Sequence, residues 1–118
     1  MDKPKPMSES VLQKNVIEYA KWLGYTLIYH TWNSIHSPSG FPDLVLCRPS
    51  DKRIIYIELK SEKGHLTKPD PMRPNWTSQE EWIEGLEACG QEVYVFRPSD
   101  LDHIMNILKY KNPGKEGS

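Results

Sequence analysis

The sequence predicts an α/β domain, a mixed central sheet flanked by helices. Three observations point there. Helical stripes of apolar residues occur near the start, in the second half and at the end of the chain. Between them lie short runs rich in β-branched and aromatic residues, giving the order α-β-β-β-α-β-α. Two adjacent runs in the middle are apolar at both alternating sets of positions, the mark of central strands covered on both faces.

Each element has a local reason. Residues 1–7 are polar and proline-rich and read as a flexible arm. Ser8 is placed to cap a helix over Glu9 to Leu23, in which Leu12, Val16, Tyr19, Ala20 and Leu23 recur at three- and four-residue steps, and Gly24 stops it. Tyr25 to Thr31 reads as a strand, and Trp32 to Phe41 as a loop. Strands follow at Asp43–Arg48 and Arg53–Lys60, joined by the turn-forming Pro49-Ser50-Asp51-Lys52. Residues 61–76 hold Gly64, Pro69, Pro71 and Pro74 without periodicity, a long loop. A second helix starts near Thr77 or Ser78, since either can head a capping box, with Glu80 or Glu81. Its Trp82, Ile83, Leu86 and Cys89 form the expected buried stripe, and Gly90 ends it. Gln91 to Arg97 is the last strand. Ser99 is expected to cap a third helix bearing Leu101, Ile104, Met105 and Leu108, and residues 110–118 read as a flexible basic tail.

The 118 residues carry a net charge of −1 and suit one domain over 1–118. No apolar run approaches the ~20 residues of a membrane span, and the N-terminus lacks a signal-peptide core. Cys47 and Cys89 are too far apart in sequence for a zinc knuckle or redox pair, which suggests a reducing, cytoplasmic setting. Near-neutral charge excludes a uniformly basic nucleic-acid coat and leaves room for a local basic patch.

The chemistry lies in the central hairpin. If Arg48 and Arg53 close the four-residue turn, Asp43 falls opposite Glu58, and opposed residues share a face. Lys60, two residues on, shares that face too. Val45, Cys47, Ile54 and Tyr56 complete it, while Leu44, Leu46, Ile55, Ile57 and Leu59 form the other face. Two carboxylates opposed in an apolar hairpin repel, and a cation is the usual remedy. Carboxylate, carbonyl and water oxygens suit Mg²⁺ or Mn²⁺ rather than zinc. A divalent ion there would polarise a phosphate and acidify a water, and a neighbouring lysine would orient that water and offset charge on the phosphorane. The reaction class is phosphodiester hydrolysis.

Pro42-Asp43, fourteen residues, then Glu58-Leu59-Lys60 is the PD-(D/E)xK nuclease signature. With Gly40-Phe41-Pro42-Asp43-Leu44, Ile57-Glu58-Leu59-Lys60-Ser61, and Gln79 ahead of Trp82-Ile83-Glu84-Gly85-Leu86 and Gly90, the chain resembles the VRR-NUC (virus-type replication-repair nuclease) family from about Glu9 to Phe96. The resemblance implies a restriction-endonuclease-like core and a DNA endonuclease that leaves 5′-phosphate and 3′-hydroxyl ends. It implies that Asp43, Glu58 and the main-chain carbonyl of Leu59 bind metal, that Lys60 positions the water, and that Glu9 joins the metal directly or through water. Gln13 and Gln79 match the family's polar helix positions beside the site. Gln79 also stands on spacing, since it falls on the buried stripe with Trp82 and Ile83. Stand-alone members of this kind are similar to bacterial or phage enzymes acting on branched DNA such as Holliday junctions. Cutting both strands of a symmetric junction suits a two-fold homodimer.

The chain departs from the family between Lys60 and Gln79, where a short glycine turn is usual and this sequence is longer. From Lys60 to Arg73 it carries four bases (Lys60, Lys63, Lys68 and Arg73) against two acids (Glu62 and Asp70). That segment reads equally as a DNA clamp or a solvated linker. Asn33 and His36 are candidate substrate contacts, against a reading as turn and packing residues. A nonspecific DNA nickase, a non-catalytic DNA-binding module and a hydrolase of small phosphates are the other functions considered; a phosphate-cradling glycine loop, which the last would favour, is missing.

Overall fold

Helix α1 (Glu9–Trp22) begins where Ser8 accepts the Val11 amide through its hydroxyl. The computed structural model describes residues 7–31 and 39–111. After α1 come β1 (Leu27–His30), β2 (Leu44–Arg48), β3 (Arg53–Leu59), α2 (Gln79–Ala88), β4 (Glu92–Phe96) and α3 (Leu101–Lys109). The sheet order is β1-β2-β3-β4, antiparallel except for the parallel β3–β4 pair. This is the α/β fold and element order expected, with β2 and β3 central.

The hairpin register is also as expected: Arg48 pairs with Arg53 and Leu44 with Ile57, which sets Asp43 against Glu58. The turn closes as a short 3₁₀ segment, Pro49–Asp51, with Lys52 left-handed at φ 59°. Arg48 grips Asp51 with two hydrogen bonds of 2.9 Å. For α2, the Ser78 box is the one that forms: Ser78 Oγ accepts the Glu81 amide and the Glu81 carboxylate accepts the Ser78 amide.

Helices α1 and α3 cover one face of the sheet. Leu12, Val16 and Ala20 meet Leu44, Leu46, Ile55, Ile57, Leu59, Phe96, Ile104 and Leu108 there in one buried core. Met7, at the end of the polar arm, packs against this core as well.

Three expectations are corrected. The second face of the sheet is not fully covered: Leu27 and Tyr29 of β1 and Ile54 of the hairpin are 60%, 56% and 45% exposed. Helix α2 packs by β4 and reaches only that side, so β1 and the turn end of β3 face solvent. For the same reason the stripe of α2 is narrow, with Ile83 buried, Trp82 and Leu86 half-buried and Cys89 exposed. Ser99 does not cap α3. Pro98–Asp100 forms a 3₁₀ turn in which Asp100 accepts the Arg97 amide, and the Ser99 amide donates to Glu62.

The turn end of the sheet buries charge and satisfies it. Arg53 binds Glu92 through Nε at 3.0 Å and Nη2 at 2.6 Å, and Tyr94 donates to the same carboxylate. Arg53 also donates to the Ile107 and Leu108 carbonyls, and Arg48 and Tyr25 add donors to Leu108. The last carbonyls of α3, otherwise without helical partners, are thus capped by cations at the negative end of the helix. Removing one partner of such a pair strands the other charge. Arg53→Ala is expected to cost about 3–5 kcal/mol in urea unfolding; a loss near zero would show that Glu92 finds water instead.

Candidate active site

The opposite end of the sheet is built differently. Pro42 and Asp43 are delivered by β1, because Thr31 donates its hydroxyl to the Pro42 carbonyl at 2.7 Å and its amide to the Asp43 carbonyl at 2.9 Å. Asp43 Oδ2 accepts the Leu59 amide at 2.7 Å, which ties its side chain across to β3. Glu58 lies opposite Val95 of β4, on the face that α2 approaches. Lys60 follows at the strand end, its amide held by the Phe96 carbonyl at 3.0 Å.

Gln79, the first residue of α2, completes the group. Its Nε2 donates to Glu58 Oε1 at 2.7 Å. Helix α2 is pinned in place by the residues before Asp43: Ser39 Oγ bridges the Thr77 amide and carbonyl, and Trp82 Nε1 donates to the Ser39 carbonyl. Phe41 packs edge-on against Trp82 at 5.0 Å and Tyr56 at 6.3 Å. Gly40 permits this approach. A Cβ there would lie 2.5 Å from the Ser78 carbonyl carbon, and its φ of +84° suits glycine.

Glu58 carries the electrostatic signature. It is 2% exposed, and its Oε2 has no hydrogen-bond partner. Burial first, then the negative charge of Asp43, push the Glu58 carboxyl up to about 9; Lys60 opposes this and Glu9 adds to it. A carboxyl buried this deeply beside a second, half-buried carboxylate does not ionise readily on its own. An orphaned oxygen beside a second carboxylate, with only oxygen donors at hand, fits a hard divalent cation.

The expected residues therefore divide. Asp43, Glu58, Lys60 and Gln79 converge, and the Leu59 backbone lies among them. Glu9, exposed in the first turn of α1, reaches Glu58 through its charge, and among the described residues no third His, Cys, Asp or Glu completes a metal-ligating cluster. Gln13 is half-buried one turn further along α1. Lys63, Lys68 and Arg73 are exposed, with the Arg73 guanidinium 4.2 Å above the Trp76 ring. Asn33 and His36 lie outside the described residues.

The sequence profile of the VRR-NUC domain family matches residues 9–100, from the start of α1 to the threshold of α3. The chain belongs to the VRR-NUC family. A solved structure described as a VRR_NUC domain is similar to it, at 29% identity and a TM-score of 0.60 over 84% of this chain and 95% of that one. A second, described as a VRR_NUC domain protein, shares the fold at 19% identity and a TM-score of 0.58, over 90% of this chain and 88% of its own. No curated protein matches significantly. Family membership makes this a nuclease-type, DNA-processing domain.

Within this VRR-NUC chain, sequence reasoning missed Ser39, Thr31, Thr67 and Arg97, which hold the site without supplying its charged groups. Gly40 stood in the sequence motif, but its close approach to Ser78 is visible only in the structure. Arg97 carried no signal. It donates to the Ser61, Glu62 and Gly64 carbonyls, at 2.8, 3.3 and 2.6 Å, and so anchors the start of the 61–76 segment to the end of β4.

The Glu58 proton makes stability pH-dependent. In the metal-free folded chain this carboxyl keeps its proton up to about 9, while the unfolded chain loses it near 4.5. Its contribution is full below 4.5 and is lost as pH rises through that window toward about 9. Melting curves in EDTA are expected to show Tm falling with pH more steeply for the wild type than for Glu58→Gln, which has no proton to lose. By the top of the window the variant is the more stable by several degrees. Parallel curves would show that Glu58 titrates normally.

Proposed function

We propose that this chain is a divalent-metal-dependent DNA endonuclease that selects branched DNA, four-way junctions among them. The observation that supports it most is the buried, unpartnered Oε2 of Glu58 beside Asp43. In this reading Asp43, Glu58 and the Leu59 carbonyl would hold Mg²⁺ or Mn²⁺, with Glu9 joining directly or through water. When bound, the ion supplies Lewis acidity to a scissile phosphate and to a water.

The chain's own groups do the rest. Gln79 holds Glu58 Oε1, leaving Oε2 directed to the site. Lys60, placed beside Glu58 at the end of β3, orients the attacking water in line and balances negative charge growing on phosphorus. Gln13, Asn33, His36, Lys63, Lys68 and Arg73 are the proposed contacts to DNA, the bases of the 61–76 segment meeting backbone phosphate. No recognition helix for a DNA groove is evident among the described elements, which favours reading of DNA shape over base sequence. The functional unit is one nuclease domain over 1–118, paired as a two-fold homodimer to cut both strands of a junction, in the cytoplasm of a bacterial or phage-infected cell.

Cleavage of linear, nicked, flapped and four-way-junction DNA tests this, with Mg²⁺, Mn²⁺ or EDTA at several salt concentrations. The junction is expected to be cut preferentially and only with metal. Lys60→Ala is expected to lose at least about 100-fold in cleavage rate while still binding DNA. A wild type that binds DNA and cuts none of these with either metal would make the domain a non-catalytic binding module.

A further inference from the structure

The 61–76 segment, which charge alone left undecided between clamp and linker, makes specific bonds to the site. Thr67 is the point of contact. Its amide donates to Gln79 Oε1 at 3.0 Å, its Oγ1 accepts the Gln79 amide at 2.8 Å, and its carbonyl accepts the Glu80 amide at 3.1 Å. One residue thus satisfies two of the free amides at the start of α2 and, in return, fixes the Gln79 side chain.

The chemistry of an amide gives this contact a consequence. A glutamine side chain has a donor end and an acceptor end. The Thr67 amide can only donate, so Gln79 Oε1 must face Thr67. Nε2 then necessarily faces Glu58, where it donates to Oε1 at 2.7 Å. With the amide reversed, Gln79 would set an N–H against the Thr67 N–H. The Oγ1 bond to the Gln79 backbone holds the threonine in register for this. Arg97, gripping residues 61–64 from the end of β4, fixes the other side of the strap.

We propose that Thr67 is a positioning residue: it sets the orientation of the Gln79 amide and, through it, the orientation of the Glu58 carboxylate toward a divalent cation. The proposal rests on the nuclease reading for its effect on cleavage, and on the metal-free chain for its geometry. Thr67 is exposed and outside the core, so its substitution does not threaten the fold.

The test compares Thr67→Val, which keeps the shape and loses the acceptor, with Thr67→Ser, which keeps the hydroxyl, and Thr67→Ala as a second loss variant. In metal-free protein, the side-chain NH₂ signals of Gln79 by NMR, assigned with Gln79→Ala, are expected to be shifted and slow to exchange in the wild type and in Thr67→Ser. They are expected to collapse to free-glutamine values in Thr67→Val and Thr67→Ala. With Mn²⁺, the valine variant is expected to need about 10-fold more metal for half-maximal cleavage, with KM for DNA unchanged and serine restoring the wild-type value. In a Gln79→Ala background the valine change is expected to add nothing. Unchanged Gln79 signals in both loss variants would overturn the proposal, as would an equal added loss in the Gln79→Ala background. A wild type that shows the NMR pattern and cuts no DNA would refute the nuclease reading and leave the Thr67–Gln79 geometry upheld.

Discussion

A buried carboxylate set against a second, half-buried one governs this structure. Asp43 and Glu58 are opposed because the hairpin register allows nothing else, and that register is held by ten residues of paired strand. Leu59 binds one Asp43 oxygen and Gln79 binds one Glu58 oxygen, while the second Glu58 oxygen is left buried and unpaired. A folded chain tolerates such a group where function needs it and the surrounding bonds hold it in place.

The two ends of the same sheet make the point by contrast. At the turn end, Arg53 and Glu92 are also buried, yet each is met by several partners, and the charge is spent on closing α3 against the strands. At the other end the satisfaction is deliberately incomplete. The supporting bonds from Thr31, Ser39 and Gln79 orient the acids without neutralising them. The first arrangement stabilises a helix terminus; the second leaves a buried carboxylate oxygen without a partner, the position we propose for a cation. Membership in the VRR-NUC family makes this a nuclease-type domain, and this second end is where we propose that it acts.

How far the sequence alone could go follows from what periodicity encodes. Alternation along β2 and β3 and the turn between them put Asp43, Glu58 and Lys60 on one face, and the helical stripe put Gln79 beside Ile83. Those are local, repeating signals. Coverage is not local: the strands are apolar on both faces, and only the packed chain shows that α1 and α3 take one side while Leu27, Tyr29 and Ile54 remain exposed. Nor is the bracing of the site. Thr67 acts across 12 residues of irregular chain and Arg97 across 33 that include α2 and β4, and Ser99 resembles a cap while Asp100 closes the turn instead. The acids proposed to face the metal had a pattern; Arg97 and Thr67, which brace them, did not.

Whether Asp43 and Glu58 share one cation can be seen directly in crystals soaked in MnCl₂ and measured for anomalous scattering. A single strong peak within coordinating distance of Asp43 and of Glu58 Oε2, lost in Glu58→Gln crystals, is the result this account predicts. A peak elsewhere, or none at saturating Mn²⁺, would contradict it.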